Sequence, residues 1–130
     1  MSYQAVFDLF WDQVMESIKE KRFAKLTMAK TIGKPDLKNI FVRPLDEEDD
    51  SQVLVKTHYR SKEIEDEEQE LSLEEAYQLV KSHLITSFSS VLLFTTTKDV
   101  TFKINKKGAG RITENLPTFR DVKYGRSDRD

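Results

Sequence analysis

The chain has 130 residues, 38% of them hydrophobic, which is enough for one domain with a real core and too few for two. It has no cysteine, which excludes disulfides, thiolate metal sites and cysteine nucleophiles and makes a reducing compartment, the cytoplasm, the expected location. Its apolar stretches are too short to cross a bilayer and its N-terminus lacks a signal-peptide core, so no membrane partner is expected.

Charge is distributed unevenly along the chain, although the formal net charge is only -2. Residues 46–50 and 63–75 hold 13 of the 23 acidic residues and no lysine or arginine. The other residues carry 21 basic and 10 acidic groups, a net of +11. The pattern predicts a basic body with two acidic loops. Such a body favours a module that binds a polyanion, although a solvated surface of mixed charge fits the same composition.

The first half of the chain predicts a helix followed by three antiparallel strands. Apolar residues recur every three or four positions over residues 3–21, which is typical of an amphipathic helix that docks on a sheet. The period changes to two at Phe23, and that strand runs toward a turn signal at residues 33–36. Two further strands are predicted at residues 39–43 and 53–60.

The second half predicts a helix and then a second meander. Ser72 and Glu75 have capping-box spacing, in which the serine hydroxyl accepts from the Glu75 amide and the Glu75 carboxylate accepts from the Ser72 amide. A helix is therefore predicted from Ser72 to about Ser87, and the preceding acids lie where a helix N-terminus favours negative charge. Three strands follow, at residues 91–96, 100–105 and 111–114.

Together these elements predict an α+β domain, with two helices packed on an antiparallel sheet of about five to seven strands. In chain order, the second helix lies between the two meanders. Periodicity is lost near the C-terminus, so we expect a single domain over residues 1–117 and a linker or disordered tail over residues 118–130.

Several catalytic and cofactor signatures are absent from the sequence. The four glycines build no glycine-rich phosphate cradle, so no cofactor is expected in this chain. The histidines, His58 and His83, have no neighbours at metal-ligand spacing, so His58 is expected on a polar face and no metal site is predicted. Acidic runs are normally hydrated, whereas general acid/base catalysis needs a desolvated carboxyl group. No catalytic residue is therefore predicted.

The candidate site is one face of the predicted sheet. Because side chains alternate along strands, basic residues of several strands share the side opposite the apolar set, around Phe23 and Phe41. Phosphates pair with lysine and arginine and bases stack on phenylalanine when a sheet holds single-stranded nucleic acid, so RNA is the candidate partner. The alternative is a solvated face whose two rings a helix covers. The predicted nucleic-acid-binding residues are Lys25, Arg43, Lys56, His58, Arg60, Lys103, Lys106 and Lys107.

Six segments, taken in order, resemble one known pattern. They are FAKLTMAK at 23–30, LKNIFVRP at 37–44, HYRSK at 58–62, LSLEEA at 71–76, LFTTTKD at 93–99 and NKKG at 105–108. The pattern is similar to the N-terminal region of a family of bacterial class I S-adenosylmethionine-dependent methyltransferases. In that family, a linker with a His-Asp-Arg-like motif and a Rossmann-type catalytic domain follow. Residues 127–129 fall near the linker motif, with Ser127 in place of histidine.

The resemblance implies an accessory domain of a methyltransferase whose catalytic domain is not within these residues. It also implies that the parent protein binds S-adenosylmethionine and that its C-terminal catalytic domain is a partner of this chain. An RNA substrate is an inference from the basic face and not from the family. Two alternatives remain: a structural or protein-interaction domain that packs on the catalytic domain without touching nucleic acid, and a small self-sufficient enzyme.

Overall fold

The structure, a computed structural model, describes residues 3–28, 37–46, 48–49, 51–85, 90–95, 97–104 and 110–115. Its two helices are α1 (Tyr3–Lys21) and α2 (Leu73–Ile85). Its strands are β1 (Ala24–Met28), β2 (Leu37–Pro44), β3 (Gln52–Tyr59), β4 (Glu67–Ser72), β5 (Ser90–Phe94), β6 (Asp99–Ile104) and β7 (Gly110–Asn115).

All seven strands form one antiparallel sheet in the order β4-β3-β2-β1-β5-β6-β7. The two predicted meanders are joined because β1 pairs with β2 on one side and, after α2, with β5 on the other. The predicted α+β fold, with two helices on an antiparallel sheet, is therefore confirmed, and the strand number lies at the upper end of the expected range.

Both helices pack on the same face of the sheet. Alternate strand residues on that face are fully buried, for example Leu26, Ile40 and Val55 in the three strands β1 to β3. α1 covers β1, β2, β6 and β7, with its Phe10 ring stacked on Phe102, while α2 covers β3 and β4. Since the buried positions of neighbouring strands are paired in register, one apolar layer separates the helices from the sheet.

The capping box at the start of α2 forms as predicted. Ser72 Oγ accepts from the Glu75 amide at 3.2 Å, and Glu75 Oε1 accepts from the Ser72 amide at 3.0 Å. These bonds lower the pKa of Glu75, chiefly through the Ser72 amide and then the Ser72 hydroxyl. The helix therefore begins at Leu73, and the residues that follow Ile85 in the predicted helix lie outside the described ranges.

The acidic segment 63–75 is a loop only over residues 63–66, and the strand that follows was not predicted. Residues 67–72 form β4, which lies at one edge of the sheet, and Glu74 and Glu75 lie in the first turn of α2. β4 was not predicted because its sequence, EEQELS, neither alternates between apolar and polar residues nor contains β-branched or aromatic residues. An edge strand has only one neighbour, so its exposed glutamates stay hydrated while its backbone pairs with β3.

α1 ends in a backbone turn that leads directly into the sheet. Arg22 has a φ of 63°, and its amide donates to the Ile18 carbonyl at 2.9 Å, a helix-ending geometry in the left-handed region. The chain then continues through Phe23 into β1, which places the last residue of the helix beside the sheet. Within the described residues, no helix has the length and apolarity needed to cross a membrane.

Candidate nucleic-acid interface

Five of the predicted residues, Lys25, Arg43, Lys56, His58 and Lys103, lie on the face of the sheet that points away from both helices, which we call the open face. It is formed by the strand positions that alternate with the buried ones. One row across it runs from Lys25 in β1 through Phe41 and Lys56 to Glu68 in β4, each residue paired in register with the next. No described helix packs on these side chains, so the row is accessible to a ligand.

Two aromatic rings stack on the open face. The centroids of Phe23 and Phe41 are 5.2 Å apart and their planes differ by 4°. Lys21 Nζ, at the end of α1, lies 5.0 Å from the Phe23 centroid, a cation–π contact. Both rings remain partly exposed, so the alternative in which a helix buries them is not what the structure shows.

Three of the predicted cations surround Phe41. Lys25 and Lys56 are its register partners on the two flanking strands, and Arg43 is two residues along β2 on the same face. All three are exposed. Side chains directly opposite each other on a sheet have Cβ atoms about 5 Å apart, so these cations are close neighbours of one aromatic ring. This cluster is the part of the predicted site that the fold assembles.

His58 lies on the same face but is paired with a carboxylate. Its Nδ1 is 2.6 Å from Asp66 Oδ1, and Lys56 Nζ is 3.7 Å from Asp66 Oδ2. These contacts lower the pKa of Asp66, with the His58 hydrogen bond as the main cause. A phosphate that approached Lys56 or His58 would therefore compete with a carboxylate of the protein itself.

Arg60 has a structural contact that the sequence did not reveal. Its Nη2 donates to the Met28 carbonyl at 2.8 Å, which ties the end of β3 to the end of β1 across β2. Its side chain is thus partly engaged, although the residue is exposed. Lys106 and Lys107 lie outside the described residues.

Lys103 is on the open face but apart from the cluster. The register Thr27–Leu92–Thr101 defines a row through β1, β5 and β6. Lys25 lies two residues to one side of that row, and Lys103 lies two residues to the other side. With about 3.3 Å per residue, the two rows are about 13 Å apart along the strands. Among its described residues, the predicted patch is therefore a compact group of cations with one distant member, Lys103.

The open face also carries acidic side chains that the sequence placed in a loop. Glu68 is opposite Lys56, and Glu70 is opposite Leu54, so both flank the basic cluster on the β4 side. The face is therefore basic at its centre and acidic at one edge. Lys21 and Arg111, the latter paired with Lys103, are further cations that sequence reasoning missed. Their strand and helix positions were predicted, but not which face they occupy.

A cavity opens between β2, β3 and β4. It has a volume of about 320 Å³ and is lined by Phe41, Arg43, Leu54, Lys56 and Glu68. A wider depression of about 640 Å³ shares Arg43 with this cavity and is lined also by Arg22, Pro44 and Leu45. There the Arg22 Nη2 donates to the Asp46 carbonyl at 3.3 Å. Of these two cavities, only the smaller one combines an aromatic ring with groups of both charges.

Among the described residues, no group of three or more histidine, aspartate or glutamate side chains is arranged to hold a metal ion. No protein-family model, curated protein or solved structure matches the chain.

Proposed function

We propose that this chain is an accessory domain that binds single-stranded RNA on its open face for an S-adenosylmethionine-dependent methyltransferase. The observation that supports the RNA part is the stacked pair Phe23 and Phe41, with Lys25, Arg43 and Lys56 exposed around it on the helix-free face of the sheet. Cations that neutralise phosphates beside rings that stack on bases are the usual elements of a single-strand site.

The methyltransferase part rests on the family resemblance of the sequence. On that reading, S-adenosylmethionine is bound by the catalytic domain, and this chain supplies affinity for the substrate. An isolated module binds weakly, because linking it to a second binding domain makes the next contact intramolecular and raises the effective concentration. The domain alone should therefore bind RNA weakly and reversibly.

Chemical-shift mapping by NMR tests the proposal. A short single-stranded RNA of mixed sequence is titrated into the 130-residue chain at low salt. We expect the amide signals of Lys25, Phe41 and Lys56 to shift together and to saturate. Shifts confined to the outer surface of α1, or the absence of any shift at low salt, would contradict the proposal.

A second candidate function is docking of the same face on the parent's catalytic domain, without RNA. It is favoured by the carboxylates Asp66, Glu68 and Glu70, which make the β4 side of the face unfavourable for a polyanion, and by Phe94, which is 43% exposed. The same NMR experiment separates the two functions. If RNA causes no shifts while the separately produced catalytic domain shifts the open-face signals, the docking function is correct.

A further inference from the structure

The cavity between β2, β3 and β4 has the composition of a site for one nucleotide. Its volume of about 320 Å³ lies at the lower end of the range for small-molecule pockets. Phe41 and Leu54 supply its apolar surface, and Arg43, Lys56 and Glu68 supply its charged groups. A ligand that fits all of these must combine a flat apolar surface, an anion and a hydrogen-bond donor.

The aromatic part of the cavity continues an existing stack. Phe41 lines the cavity and is also stacked on Phe23, which in turn contacts the Lys21 ammonium. Of the two stacked rings, Phe23 contacts Lys21 and does not line the cavity, whereas Phe41 does. A base that enters the cavity would extend the stack by one ring, and base–aromatic stacking tolerates every base. Stacking therefore explains binding of a base but not a choice among bases.

The charged groups divide by sign across the cavity. Lys56 in β3 is paired with Phe41 in β2 and with Glu68 in β4. Glu68 therefore lies on the edge strand, one strand further from Phe41 than Lys56 does. Arg43 lies two residues from Phe41 along β2. Lys56 is already shared with Asp66, which leaves Arg43 as the better-placed partner for a phosphate. The Glu68 carboxylate can only accept hydrogen bonds, so it selects for a donor on the base.

The bases differ in the donors that they present to a carboxylate. Guanine has two adjacent donors, N1–H and the 2-amino group, which match the two carboxylate oxygens. Adenine and cytosine each place a ring-nitrogen acceptor next to their amino group, and uracil places carbonyl oxygens on both sides of its single N–H. None of these three bases offers two adjacent donors, so each can donate only one hydrogen bond to the carboxylate at a time, whereas guanine donates two.

We propose that this cavity is a guanine subsite within single-stranded RNA. The base stacks against Phe41, the Glu68 carboxylate accepts from N1–H and the 2-amino group, and Arg43 binds the adjoining phosphate. The subsite rests on the proposed RNA-binding function and adds base selectivity to it, because a surface that uses only lysines, arginines and aromatic rings has little base preference.

Fluorescence anisotropy with two labelled oligomers tests the subsite. One oligomer is all uridine, and the other carries a single central guanosine. We expect the wild-type chain to bind the guanosine oligomer about tenfold more tightly, which is typical of one bidentate contact to a base. Glu68→Gln should lose most of this preference without losing affinity for the uridine oligomer. Glu70→Gln is the matched control, since it removes the same charge from the same strand at a position that does not line the cavity.

A change in the ligand provides a test that does not depend on any variant. Inosine lacks the 2-amino group of guanosine, so replacing the guanosine by inosine should reduce the preference of the wild-type chain. Free guanosine monophosphate should compete only at much higher concentration than the oligomer. If it bound as tightly as the oligomer, the site would serve a mononucleotide, and the RNA part of the inference would be wrong.

The outcomes distinguish this inference from the function on which it rests. Equal affinity for both oligomers, an unchanged preference in Glu68→Gln or an unchanged preference with inosine would overturn the guanine subsite and leave RNA binding standing. Binding of neither oligomer at low salt would overturn both.

Discussion

The ring of Phe41 stacks on the ring of Phe23 at a centroid distance of 5.2 Å, on the face of the sheet that carries no helix. Such a pair is worth about 0.5 to 1.5 kcal/mol beyond the area it buries. Here it joins the residue that precedes β1 to the middle of β2. Phe41 also lines the cavity next to Glu68, so the same contact supports both the sheet and the proposed base site.

Phe41→Leu separates these two roles. Leucine keeps an apolar side chain but loses the ring, so we expect a loss of about 1 kcal/mol in the free energy of unfolding. RNA affinity should also fall, by about fivefold or more, since base stacking on a ring is lost. Denaturant unfolding and anisotropy titration measure the two effects. Phe94→Leu is the control, because Phe94 is an exposed aromatic residue that does not line the cavity, and it should change RNA affinity less.

Ser72→Ala tests the cap of α2. The hydroxyl that accepts from the Glu75 amide is lost, which should lower the free energy of unfolding by about 1 kcal/mol. RNA affinity should not change, because α2 packs on the opposite face of the sheet. Gln78→Ala, at an exposed position of the same helix, should leave stability nearly unchanged. Equal thermal stability of wild type and Ser72→Ala would mean that the cap does not stabilise the helix.

The contact between α1 and α2 should depend on pH. The Tyr77 hydroxyl donates to Asp8 Oδ1 at 2.5 Å, and Gln4 Nε2 donates to the same oxygen at 2.9 Å. These bonds, with Tyr77 as the main cause, lower the pKa of Asp8 below its ordinary value of 3.8. A carboxyl whose pKa is lowered on folding stabilises the fold above its unfolded pKa, and the stabilisation is lost as the pH falls through the folded pKa.

Tyr77→Phe keeps the ring contacts with Phe7 and Trp11 and removes only the hydroxyl. We expect a loss of roughly 0.5 kcal/mol in unfolding free energy at about pH 6, since the bond is exposed, and a smaller loss at about pH 3. In the Asp8→Asn background, the effect of Tyr77→Phe should no longer change over this range. Urea unfolding at both pH values measures the loss of unfolding free energy caused by Tyr77→Phe. A larger loss at the acidic pH than at about pH 6 would contradict this prediction.

The close approach of α1 to β7 predicts an effect of Gly110→Ala. An added Cβ would lie 3.1 Å from Val6 Cβ and 3.5 Å from Phe102 Cε1. Val6 is 1% exposed and Phe102 is fully buried, so neither can move easily. We expect a loss of about 1 kcal/mol in stability. In the Val6→Ala background the contact is relieved, so the same substitution should cost less, and purely additive effects in the double mutant would contradict the packing argument.

Local sequence signals predicted most of the fold. α1 and α2 follow from apolar periodicity and the capping box at Ser72, because helices of that length bury a single stripe. The alternating strands were also found. β4 was not, since its backbone is held by pairing with β3 rather than by the propensity of its glutamates, and such tertiary pairing is not encoded in a short window.

The candidate site was predictable only in part. Alternation placed Lys25, Arg43 and Lys56 on one face, and the register brings them around Phe41. Glu68 and the Asp66 contacts were missed, because they depend on β4 lying beside β3. Because β4 was not predicted, the order of charges along the sequence could not show that Glu68 and Asp66 lie beside Lys56.

The salt dependence of RNA affinity tests the central claim most directly. Neutralising three phosphates with Lys25, Arg43 and Lys56 should give a slope of about −2 for the logarithm of the binding constant against the logarithm of salt concentration. Arg43→Glu should weaken binding and flatten this slope. Lys19→Glu, an equal charge reversal at an exposed position of α1, should leave affinity and slope nearly unchanged. No binding at low salt, or equal losses from Arg43→Glu and Lys19→Glu, would contradict an RNA site on the open face.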